Sequence, residues 1–107
     1  MIYELDEHAK LPPHLLSLFL RATPPQVEQL VLACEARDVE RARATAHKLK
    51  GSLYAAGASR LAEDLESLRG LLGAGDFAAG ERRLRAVRDD FERLLRELER
   101  QLQETAP

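Results

Sequence analysis

The run Ala46-His47-Lys48-Leu49-Lys50-Gly51-Ser52 holds nearly all the residues of this chain whose types and spacing could do chemistry. A neutral imidazole nitrogen is a good nucleophile for a phosphoryl group, and an exposed histidine near its ordinary pKa is mostly neutral at pH 7. Lys50 follows His47 by about one helical turn and Arg43 precedes it by another, so two cations stand close to where an added anion would sit. Both can hydrogen-bond phosphate oxygens, lysine as a point charge, and both disfavour the imidazolium before transfer. Ala44 and Gly51 flank the ring with small side chains and leave it open to a partner. No Gly-rich loop for a nucleotide and no acidic cluster for Mg2+ accompanies them. The expectation is a site with no cofactor of its own, to which a partner brings the metal and the activated phosphoryl group.

The element that must position these residues is an amphipathic helix. Asp38 is its natural N-cap, Val39, Ala42, Ala46, Leu49 and Leu53 repeat at three and four residues, and Gly57 can end it in the left-handed conformation. On this wheel His47 lies roughly 120° from the middle of the apolar stripe, with Glu40, Arg43, Ala44, Lys50, Gly51 and Tyr54 as its neighbours. Tyr54 either stacks beside the imidazole or packs at the edge of the fold. Thr45 and Ser52 serve local hydrogen bonding.

The rest of the chain reads as further helices. Pro12-Pro13 open a short one that buries Leu15, Leu16, Phe19 and Leu20. Thr23-Pro24-Pro25-Gln26 reads as a capping box opening another to about Ala36, with Val27, Leu30, Val31 and Cys34 inward. Ser59 caps a helix striped with Leu61, Leu65, Leu68 and Leu72, which weakens at Gly70 and turns at Gly73-Ala74-Gly75. Asp76 caps a long last helix with Phe77, Leu84, Val87, Phe91, Leu94, Leu95, Leu98 and Leu102 on one face. Its other face offers Arg85/Asp89, Arg88/Glu92 and Arg93/Glu97 at i,i+4, each pair contributing about 0.2–0.5 kcal/mol on a solvated surface. The predicted architecture is all-α: an antiparallel four-helix bundle with a short additional N-terminal helix. One domain over residues 1–107 is expected, an N-terminal segment 1–11 lying over one end and a helical body 12–104.

Composition narrows the function. Charged residues make up 32% and the net charge is −2, which gives no support to nucleic-acid or anionic-membrane binding. No apolar stretch approaches the roughly 18 residues that span a bilayer, and the acidic start lacks the layout of a secretion signal. A soluble, cytoplasmic monomer is expected, and Met1 with no linker-like tail favours a free-standing protein. The lone Cys34, at a core phase, reads as a small buried apolar group. His8 and His14 have no metal-ligand company and read as surface residues.

The stretch from Ala46 through Ala58, with Leu61 and Glu66 beyond it, resembles the histidine-containing phosphotransfer (HPt) domains of two-component phosphorelays. The resemblance spans nearly the whole chain except residues 1–11, with a departure at Ala56, where a larger apolar residue is more usual. It implies His47 as phospho-acceptor, Lys50 as phosphate contact, Gly51 as the small residue permitting partner approach and Gly57 as the turn glycine. It implies partners too: a hybrid histidine kinase whose receiver domain donates, and a response-regulator receiver that accepts, each supplying Mg2+. Arg43 is a further candidate phosphate contact. Ala44, Tyr54 and side chains of the following helix are candidates for docking. The alternative from another class is a helical adaptor that binds a receiver or kinase and transfers nothing. Intact His47, Lys50 and Gly51 argue against it.

Overall fold

The computed structural model describes Leu5 and residues 11–105, and among these it is all-helical. The helices are α1 (Pro13–Glu35), α2 (Val39–Ala55), α3 (Ser59–Gly73) and α4 (Phe77–Thr105). α1 packs against α2 and α4, and α3 packs against the same two, so the four close around a shared core. Leu30, Leu49, Leu53, Leu61, Leu65, Leu68, Leu94, Leu98 and Phe91 are its largest fully buried members.

Three turns of one kind connect the helices. In each, the residue after an αR cap takes a positive φ: Arg37 (54°), Gly57 (80°) and Gly75 (77°). Each turn closes by the same two bonds, as when Gly57 N–H donates to the Tyr54 carbonyl and Ala58 N–H to that of Leu53. This pairing satisfies carbonyls that the helix end would otherwise leave bare. Glycine enters the left-handed region without steric penalty, whereas a side chain there is disfavoured by about 1–2 kcal/mol. Arg37 occupies it nonetheless, and its guanidinium lies 4.7 Å from the Phe77 ring centroid, a cation–π contact that fastens the first turn to the start of α4. Asp38 and Asp76 cap α2 and α4 as expected, accepting from the amides of Arg41 and Ala79.

The structure departs from the sequence reading along α1 and at the start of α3. The two helices expected across residues 12–36 are one, because α1 runs through Pro24 and Pro25. Each proline removes an N–H from the helix ladder, but both are exposed, so water can reach the carbonyls they leave unpaired. Leu16, Phe19, Thr23, Leu30 and Val31 form one buried face on either side of them, and that packing holds the halves in line. Thr23 is thus a buried mid-helix residue and not a cap, and Leu15 falls off the buried face at 42% exposure. Ser59 is the first residue of α3, and its N-cap is Ala58.

On α4, Arg85 pairs with Glu81, Arg93 with Asp90, and Glu97 with Arg100, in place of the expected partners. Competing i±3 and i±4 carboxylates differ by only a few tenths of a kcal/mol. Residues 1–4 and 6–10, with His8, lie outside the described residues; Leu5 and Leu11 pack half-buried against the core.

Candidate functional site

Helix α2 turns Ala42, Ala46, Leu49 and Leu53 inward to complete burial, and that fixes what faces out. His47 is exposed, and none of the described residues hydrogen-bonds its imidazole. At 100° per residue it stands midway between Lys50 and Ala44, about 60° from each. These two neighbours belong to different flanks of the helix.

On the α3 flank the site is charged and ordered. Lys50 Nζ donates to Glu66 Oε2 at 2.9 Å. Arg69 Nη1 reaches the two oxygens of the same carboxylate at 3.1 and 2.8 Å. Arg69 Nε then donates to the carbonyl of Arg43 at 3.2 Å, tying α3 to the turn of α2 that precedes His47. The Lys50 hydrogen bond first, and Arg69 second, hold the Glu66 carboxyl down from 4.5 to about 2. The Arg43 guanidinium extends along the same flank toward the last turn of α3: a Cβ at Gly73 would lie 3.4 Å from its Cζ and Nη1. A helix C-terminus carries partial negative charge, which favours a cation there.

The α1 flank is a groove of about 800 Å³ whose lining mixes apolar Leu32, Ala33, Ala36 and Ala44 with charged Asp38, Glu40, Arg41 and Lys48. Leu32 is 55% exposed and Leu18, further back on α1, 52%; Tyr54, two turns beyond His47, is 47% exposed. The large exposed apolar residues therefore lie on α1 and α2. The following helix, expected to supply docking side chains, presents none of them among the described residues.

Between the flanks stands Gly51. A Cβ added there would meet nothing within 4 Å, so nothing in this fold requires a glycine. In a helix interior glycine is about 0.8–1.0 kcal/mol less favourable than alanine, a penalty that packing in this fold does not explain.

Sequence reasoning brought His47, Lys50 and Gly51 to one face, with Arg43, Ala44 and Tyr54 around them, and the structure places all six on α2. It missed Arg69, and it gave Glu66 no role. Both stand on α3, Glu66 16 residues from Lys50 and Arg69 26 from Arg43, beyond any local pattern. Cys34 is half-buried, and burial followed by Glu35 pushes its thiol up, away from the reactive thiolate. Ala56, where the family pattern has a larger residue, is buried as the C-cap of α2. No group of three or more His, Cys, Asp or Glu suited to a metal ion occurs among the described residues. No helix among them is long and apolar enough to cross a membrane.

Among the described residues, all of whose regular elements are helices, His47 thus stands exposed between a flank of ordered charges and an open groove in which Leu32 is uncovered. The Hpt domain profile matches residues 14–104, and the chain belongs to that family. Its members serve phosphotransfer in two-component systems and engage receiver domains and kinases there. Neither the curated proteins nor the solved structures contain a match.

Proposed function

We propose that this protein is a phosphorelay intermediate with His47 as its acceptor. The observation that carries the reading is the exposed imidazole beside a lysine held in place and a glycine that the fold does not need. A ring nitrogen of neutral His47 attacks the phosphorus of a receiver's aspartyl phosphate. The N–P bond forms as the P–O bond breaks, the carboxylate leaves with the electron pair, and the imidazolium product gives its remaining ring proton to solvent. The reverse reaction delivers the group to the aspartate of a second receiver. Lys50 neutralises the phosphoryl oxygens, and the receiver supplies Mg2+. Arg43 joins them only by leaving Gly73.

The fold that goes with this reading is an antiparallel bundle, since three-residue turns join helices that pack side by side. The receiver docks over His47 and Tyr54 and across the α1 flank at Ala44 and Leu32, with Leu18 further along α1. The reading includes a cytoplasmic location and, with one complete core in the chain, a monomeric carrier.

The test is transfer from a panel of phosphorylated receiver domains, read by intact mass on wild type and His47→Gln. An acid-labile adduct on wild type alone is the expected result. Label on both proteins moves the acceptor elsewhere. Absence of label from both, with tight receiver binding, makes the chain a non-transferring adaptor.

A further inference from the structure

The α3 flank holds more order than a solvated helix face requires. A chain of contacts leaves α2 at the Arg43 carbonyl, crosses to Arg69, passes through Glu66 and returns to α2 at Lys50. It begins one turn before His47 and ends one turn after it, so it brackets the acceptor from outside the helix. Lys50 and Arg69 lie along the α2–α3 seam with side chains 23% and 21% exposed, while the Glu66 carboxylate between them is 52% exposed.

We propose that Glu66 is a positioning residue for phosphoryl transfer, holding the Lys50 ammonium on the α3 flank of His47 with hydrogen-bond donors to spare. This inference rests on the reading of His47 as acceptor.

A lysine ammonium has three donors and a long flexible stem. Left alone it would have to be ordered at each transfer, and that ordering opposes the reaction. Glu66 takes one donor and fixes the stem, which leaves two donors for phosphoryl oxygens. The carboxylate is itself braced by Arg69, so it does not follow Lys50 out into solvent. Charge agrees with this role. Lys50 and Arg69 stand against the Glu66 carboxylate, a surplus of one positive charge that becomes two when Arg43 leaves Gly73. The larger surplus matches the roughly −1.5 to −2 carried by a phosphoryl group at neutral pH. Without Arg69, Glu66 would repel the incoming group; paired with Arg69, it orients Lys50 at little electrostatic penalty.

A double-mutant cycle tests it. The rate of His47 labelling by a phosphorylated receiver is measured on wild type, Glu66→Gln, Lys50→Ala and the double variant, with receiver concentration varied. Glu66→Gln is expected to lower the maximal rate about two- to fivefold, the range that exposed ion pairs span, and to leave half-saturation unchanged. In the Lys50→Ala background the same change is expected to do nothing.

Equal slowing in both backgrounds would mean that Glu66 merely supports the α2–α3 packing, and it overturns the proposal. An unchanged or faster rate in Glu66→Gln, with label still confined to His47, overturns it while leaving the acceptor in place. Failure of wild type to take label, or label on His47→Gln, overturns the acceptor reading and this one together.

Discussion

The two flanks of α2 are built on opposite principles. Toward α3, side chains are spoken for: Lys50 and Arg69 share Glu66, Arg69 also holds a backbone carbonyl, and Arg43 rests on the end of the neighbouring helix. Toward α1, Leu32 stands more than half exposed in the lining of a groove that runs along α2 past Ala44 to Lys48, and Leu18 is as uncovered further back on α1. A flank with its charges fixed in place can receive an anion with little reorganisation. A flank with uncovered apolar surface gains by burying it against a partner. His47, about 60° from either, belongs to both. The division assigns chemistry to one side and docking to the other, and substitutions on each side can break or sharpen it.

The largest effect is expected at the boundary. Gly51→Gln places a side chain where the fold has open space, so the isolated protein should melt at the same temperature or slightly higher, by up to about 1 kcal/mol of helix propensity. Transfer should nevertheless fall about a hundredfold, because a reacting pair displaced by an ångström loses about that much. Thermal unfolding and receiver-to-His47 transfer on one preparation check both halves. A variant that transfers normally would show that no partner comes near Gly51.

A smaller loss is expected on the α1 flank. Leu32→Asp should raise the receiver concentration for half-maximal transfer about tenfold, the order of a truncated interface anchor, with the maximal rate kept. Lys50→Ala should do the reverse, lowering the maximal rate and sparing half-saturation. If both variants move the same parameter, the flanks do not divide the work as their surfaces indicate.

How much of this was legible in the sequence follows the reach of each interaction. The phase of α2 is a local property, and Ala42, Ala46, Leu49 and Leu53 at three- and four-residue spacing place His47 outward with no knowledge of the other helices. The caps at Asp38 and Asp76 and the turn at Gly57 are equally local. At Thr23-Pro24-Pro25-Gln26 the local signal for a helix start was sound, yet packing on both sides of it prevailed and α1 ran on. Arg37 is another long-range case, a left-handed turn position filled by an arginine whose guanidinium lies over Phe77, forty residues later. The Glu66 network was invisible for a plainer reason: its members touch only after α3 has folded back on α2.

The smallest and sharpest prediction concerns that network. Two cationic partners hold the Glu66 carboxyl down to about 2 from its ordinary 4.5, Lys50 contributing first and Arg69 second. A group depressed in this way lends the folded state stability that is whole above its unfolded value and fades as pH falls through the folded one. The link between α2 and α3 should therefore stand intact at pH 5 and above and loosen between about 4.5 and 2. Carbon-13 titration of the Glu66 carboxyl should show a midpoint near 2 in wild type, and Lys50→Ala and Arg69→Gln should each raise it toward 4.5. A midpoint that ignores Lys50 would mean that the ammonium spends its time elsewhere in solution. The α3 flank would then be as unoccupied as the α1 flank, and the contrast between them would vanish.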